Sequence, residues 1–195
     1  MGIVTAHQAG LQQTGQPLVL PWSRALTVAD MENLPDDGHR YELIDGVLIV
    51  TPAPIVRHQI AVSGFEAVLR QLSPPSLRVL HAPLDVVLAD DTVVEPDILV
   101  ARRSDFVEKN LPTAPLLAVE VLSPSTRMID LSVKRDRYRR AGVESYWVFD
   151  PAQARLVAWE LRDGEYEQVA DVTGDESWTA RKPYEVTVVP ARLLD

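Results

Sequence analysis

The stretch Leu116-Leu117-Ala118-Val119-Glu120-Val121-Leu122 is apolar at every position but one. So continuous a run does not alternate between wet and dry faces. It reads as a β-strand covered on both sides. A glutamate in its interior is then a buried carboxylate, which needs a cation, a hydrogen-bond network or a proton. The same predicament recurs twice. Asp97 lies in Val93-Val94-Glu95-Pro96-Asp97-Ile98-Leu99-Val100, and Glu42 lies in Tyr41-Glu42-Leu43-Ile44. The latter run is joined to Val47-Leu48-Ile49-Val50 by Asp45-Gly46, a two-residue hairpin signal. That pairing sets Glu42 opposite Ile49 and on one face with Ile44 and Val47. Each acid alone could end a strand, face solvent or pair with an arginine. Three among buried neighbours, with Pro-Asp on one strand and Glu inside the next, argue for a shared site. A hard divalent cation takes oxygen ligands, often a few carboxylates with waters and a substrate phosphate. One such ion would answer all three acids.

The rest of the chain sets these strands in a mixed fold. Residues 1–22 are polar and turn-rich and read as a loose arm, which leaves residues 23–195 as one domain. Thr27 can cap a short helix carrying Met31 and Leu34, ended by Pro35-Asp36-Asp37-Gly38. Ala61, Phe65, Val68, Leu69 and Leu72 follow helical spacing across residues 55–72. Strand-like runs cover 77–88, 93–101, 116–122, 146–149, 155–161 and 166–169, with a last at 184–189. A polar helix from about Asp130 to Ala141 is closed by Gly142. Helices set before and after the central strands imply a mixed sheet flanked by helices, an α/β or α+β domain.

Charge narrows the function classes. A net charge of −9 argues against a protein that coats nucleic acid through a general positive field. It leaves open a nuclease, in which local patches and metal ions supply positive charge. The absence of cysteine excludes disulfides, thiolate metal sites and thiol nucleophiles, and it fits a reducing, cytoplasmic location. Neither a membrane-length apolar run nor a signal-peptide pattern is read. Lysine is scarce: Lys109, Lys134 and Lys182 are the only three.

The order Glu42, Pro96-Asp97, Glu120-Val121-Leu122, Lys134 resembles the restriction-endonuclease-like, or PD-(D/E)xK, superfamily. More closely, the chain resembles the Uma-two family of endonucleases. The resemblance is carried by Tyr41-Glu42-Leu43-Ile44-Asp45-Gly46, His58-Gln59, Glu95-Pro96-Asp97, Val119-Glu120-Val121-Leu122-Ser123-Pro124-Ser125-Thr126 and Gly142 to Pro151. It implies a central mixed sheet with flanking helices and a phosphodiesterase site with Mg²⁺ or Mn²⁺ held by Asp97, Glu120 and Glu42. It implies DNA as substrate, and cutting both strands of a duplex would be simplest for a homodimer. One departure matters. The superfamily pattern has a lysine two residues after the second strand's acid, where this chain has Leu122. The best substitute is Lys134. Leu131, Lys134 and Tyr138 share one helix face, which aims the lysine at the sheet. The missing strand lysine keeps a second reading alive: an inert module of the same fold that binds DNA or a partner protein.

Other residues have two readings each. Glu95 lies two residues before Asp97 and is a candidate outer ligand, unless Pro96 turns it away. His58 falls on the apolar stripe of its helix and reads first as a satisfied histidine, with a supporting or phosphate-contact role left open. Ser123, Ser125 and Thr126 could bind phosphate or cap the turn before the helix. Asp130 reads as a first-turn or capping acid. Residues 127–140 carry a local charge of +4. There, Arg127 and Arg135 are candidates for phosphate contact, while Arg139 and Arg140 read as a solvated face.

Overall fold

A computed structural model of the protein describes residues 21, 23–34 and 38–195. Apart from Pro21, the expected N-terminal arm lies outside the described residues, as does most of the Pro35–Gly38 turn. The hairpin forms with the expected register. β1 (Arg40–Ile44) pairs antiparallel with β2 (Val47–Thr51), and Glu42 faces Ile49. Asp45 and Gly46 adopt φ of 50° and 74°, the left-handed pair that a two-residue turn of this hand requires. Val47, expected on the buried face, is 63% exposed at the hairpin's end.

Ahead of the hairpin, α1 (Val28–Met31) starts at Thr27, whose N–H donates to the Asp30 carboxylate at 2.8 Å. After it, α2 (Val56–Leu72) buries Ala61, Phe65 and Leu69 but leaves Leu72 half exposed. Gly64 is required on this helix because a Cβ there would come within 2.6 Å of the Leu193 carbonyl oxygen.

Two expected long strands are each broken. The 77–88 run becomes β3 (Leu77–His81) and β4 (Val86–Ala89). The 93–101 run becomes β5 (Thr92–Val94) and β6 (Ile98–Arg102), interrupted at Glu95-Pro96-Asp97. Pro96 has no N–H to give a ladder, so the chain leaves one sheet and enters another there. The first sheet has the order β2-β1-β5-β4. The second continues through β7 (Leu117–Val121), β8 (Ser145–Asp150), β9 (Arg155–Arg162) and β10 (Glu165–Thr173), in the order β10-β9-β8-β7-β6-β3. It is mixed: β7 and β8 run parallel and every other neighbouring pair is antiparallel. Parallel neighbours need a crossover. Here it is α3, a π-helical segment Ile129–Lys134 that runs straight into α-helix Arg135–Ala141. Gly142, at φ 84°, closes it as expected. β11 (Trp178–Ala180), not expected from the sequence, pairs with β12 (Val186–Val188). Among the described residues, no helix is long and apolar enough to cross a membrane.

The two faces of β7 meet different surroundings. Leu117, Val119 and Val121 join Phe65, Trp147 and Phe149 in an apolar cluster beneath α2, with Phe65 and Phe149 edge to face at 5.4 Å. Ala118 and Leu122 face the other way, into a cluster with Tyr138 and Tyr146 beneath α3. Glu120 lies between them on that second face.

Candidate active site

Three separate segments bring the acids together. The hairpin carries Glu42, the Pro96 interruption carries Asp97 to the start of β6, and β7 carries Glu120. Their exposures are 2%, 8% and 2%. All three line one cavity of about 320 Å³, along with Lys134, Asp130, His58 and Glu95. The lysine's ammonium is the hub. Lys134 Nζ lies 2.8 Å from Glu42 Oε1, 3.1 Å from Glu120 Oε1 and 3.7 Å from Asp130 Oδ1. Leu122, where the superfamily pattern has a lysine, instead packs in the cluster with Tyr138 and Tyr146.

Each carboxylate is also fixed by neutral donors. Tyr138 donates its hydroxyl proton to Glu120 Oε1 at 2.9 Å. The Glu95 backbone N–H donates to Glu42 Oε1 at 2.8 Å. Asp97 Oδ2 accepts from the Val121 backbone N–H at 2.8 Å and lies 3.2 Å from His58 Nε2. Asp97 Oδ1 and Glu120 Oε2 have no hydrogen-bond partner among the described residues.

The charges do not balance. Glu42, Glu120 and Asp130 surround one ammonium, and the charge of Asp97 acts on Glu120 and Asp130 from beside them. Burial pushes the Glu120 carboxyl well above the ordinary carboxylate value. Lys134 opposes that shift, while the charges of Asp130, Asp97 and Glu42 add to it. Burial also raises Asp130, to about 6. For Lys134, burial favours the neutral amine, but Glu120, Glu42 and Asp130 outweigh it and hold the proton firmly. A cluster of this kind has room for further positive charge.

Asp130 lies in the first helical turn, as expected, but sequence reasoning missed its place in the site: it is 2% exposed, and its Oδ1 is buried without a hydrogen-bond partner. The signal was its place four residues before Lys134, which stacks both on one helix face. The other candidates divide. His58 is 7% exposed and touches Asp97. Glu95 turns to Arg40, whose Nε donates to its Oε2 at 2.8 Å. Ser123 Oγ lies 3.0 Å from Ser125 Oγ and accepts from the Thr126 N–H at 3.3 Å, so these hydroxyls both line the cavity and shape its turn. Arg127 and Arg135 are outside the cavity lining. Arg127 pairs with Asp150 at 2.6 Å, and the Arg135 guanidinium stands 5.4 Å over the Trp159 ring.

As to a metal, the donors are hard oxygens, the chemistry Mg²⁺ prefers. The unengaged Asp97 Oδ1 and Glu120 Oε2 suit a two-carboxylate site completed by waters and substrate. Among the described residues, no group of three or more acids or histidines is arranged as a ready cage. Lys134 stands between two of the acids instead.

The chain belongs to the Uma2 family, described as "Putative restriction endonuclease", whose model matches residues 28–189. The fold is also that of a crystal structure from Anabaena variabilis, described as a putative nuclease belonging to DUF820. The two share 19% identity at a TM-score of 0.68, over 87% of this chain and 97% of that one. No curated protein matches the sequence.

Proposed function

We propose that this chain is a metal-dependent nuclease that hydrolyses phosphodiester bonds in DNA. The observation that carries the reading is the buried Lys134 ammonium, 3.1 Å from Glu120 in the cavity that Asp97 also lines. Family membership and the fold shared with the Anabaena protein, itself described as a putative nuclease, point the same way. Asp97 and Glu120 would hold Mg²⁺ or Mn²⁺, with Glu42 completing the acidic set from the lysine's side. A cation bound there supplies Lewis-acid polarisation of the phosphate and a more acidic water. The chain's own residues do the rest. The Val121 N–H and His58 orient Asp97, and the Tyr138 hydroxyl orients Glu120. The Lys134 ammonium presents a fixed positive charge to the attacking water and to the charge that develops on phosphorus oxygens. The surrounding apolar strands keep bulk water from weakening that charge. A two-fold dimer would place two such sites on opposite strands.

The inert-module reading has one specific observation in its favour. Glu42 and Glu120 are already engaged by Lys134, and no ready three-ligand group stands among the described residues. One assay separates the two. Plasmid, linear duplex and single-stranded DNA are incubated with wild type and Asp97→Asn, in Mg²⁺, in Mn²⁺ and in EDTA. The nuclease reading expects cleavage by wild type in Mg²⁺ or Mn²⁺ but not in EDTA, and its loss in Asp97→Asn. Absence of cleavage of all three substrates in Mg²⁺ and in Mn²⁺ supports the inert module.

A further inference from the structure

One wall of the cavity holds a guanidinium that is only partly used. Arg40 opens β1, two residues before Glu42 and therefore on the same strand face. Its Nε donates to Glu95 Oε2 at 2.8 Å, and the Glu95 backbone N–H in turn holds Glu42. Arg40 thus hangs on the frame that positions the acids. Neither of its Nη groups has a hydrogen-bond partner among the described residues. An arginine kept only to satisfy Glu95 would be expected to offer its two-pronged fork; here a single prong is engaged. With Nε fixed, the remaining donors are pre-oriented, and little side-chain freedom is left to lose when they meet two oxygens of an anion. The position is at the mouth rather than the floor: the Arg40 side chain is 26% exposed, against 5% for Lys134. The hydroxyls of Ser123, Ser125 and Thr126 line the same cavity.

We infer that Arg40 is a substrate-binding residue that grips a backbone phosphate flanking the one cut, with Glu95 as the residue that holds its guanidinium in place. The inference rests on the nuclease reading and deepens it by assigning where the rest of the strand is held. A contact to a flanking phosphate, made equally in ground and transition states, lowers KM and leaves kcat alone. It also contributes to the salt dependence of binding.

The test is steady-state cleavage of a DNA duplex in Mg²⁺ by wild type, Arg40→Gln and Arg40→Lys. KM is followed against salt, and Mn²⁺ binding and thermal melting are measured on each protein. Gln retains a donor for Glu95, and Lys retains the charge without the fork. Arg40→Gln should raise KM about tenfold or more, leave kcat within about twofold and reduce the salt slope by about one unit. Arg40→Lys should fall between wild type and Arg40→Gln. Mn²⁺ affinity should not fall in either; Arg40→Gln, which removes a positive charge near Asp97 and Glu42, should bind the ion as well as or better than wild type. A neutral methylphosphonate placed at successive positions of the duplex should weaken wild type at one flanking phosphate and add nothing in Arg40→Gln. Unchanged KM and slope overturn the inference, as does a fall in kcat alone or a parallel loss of Mn²⁺ affinity. If wild type cuts no DNA, the inference falls together with the function it rests on. If wild type cuts and Arg40→Gln behaves like it, the inference alone fails.

Discussion

The two faces of β7 differ in what they ask of their neighbours. On the face toward α2, Leu117, Val119 and Val121 meet Phe65, Trp147 and Phe149, and shape complementarity is sufficient. On the face toward α3, Glu120 sits among equally buried residues, but it requires Lys134, the Tyr138 hydroxyl and a particular helix register. One face contributes stability directly. The other holds Glu42, Glu120 and Asp130 against one ammonium, with Asp97 adding its charge, an arrangement that stability alone would not favour. The contrast supports the proposed site: the charged face is where the fold carries a cost that a bound cation would relieve.

The largest expected effect lies on the apolar face. Trp147→Ala should destabilise the protein by about 3–5 kcal/mol, through lost contacts and the cavity left behind. Urea unfolding measures it, and a loss below about 1 kcal/mol would mean that this face is not the structural core.

Glu120→Gln should do the reverse on the charged face. It removes one uncompensated negative charge while keeping an oxygen for Tyr138 and Lys134. Thermal stability without metal should be equal to or above wild type, and Mn²⁺ affinity should fall tenfold or more. A large drop in stability with metal binding intact would erase the distinction between the faces.

A smaller effect is read by pH. Asp130, raised to about 6 by burial, keeps its proton between about pH 4 and 6, where the unfolded chain has lost it. The folded state therefore binds more protons in that window, and stability falls as pH rises through it. Asp130→Asn lacks this loss. Its melting temperature relative to wild type should climb from pH 4 to about 7 in the absence of divalent metal. A flat difference would show that Asp130 is not held as a buried acid.

Much of this contrast was legible from residue order. The apolar run around Glu120 marked a doubly covered strand, Asp45-Gly46 marked the hairpin, and the burial of Glu42, Asp97 and Glu120 followed from their neighbours. The missing parts are those that short-range pattern does not encode. Pro96 read as a possible distortion, yet it ends one strand and starts another in a second sheet, because only the three-dimensional path decides which ladder its neighbours join. Asp130 resembled a common first-turn acid, and its burial depends on a π-helical turn that apolar spacing does not reveal. Arg40 sits just ahead of the hairpin's apolar run, and nothing in that run marks it as a cavity wall.

The central claim is that the ammonium on α3 serves the chemistry that the superfamily pattern assigns to a strand lysine. The most direct test is Lys134→Ala, assayed for DNA cleavage in Mg²⁺ and, separately, for Mn²⁺ binding. In the proposed mechanism Lys134 acts on water and developing charge rather than on the metal, so Mn²⁺ should still bind. Cleavage should fall roughly a hundredfold or more, the scale for removing one fixed electrostatic group. Lys134→Arg should remain poor, because a planar guanidinium does not reproduce a compact ammonium in that space. Cleavage by Lys134→Ala at the wild-type rate under matched Mg²⁺ would contradict the account.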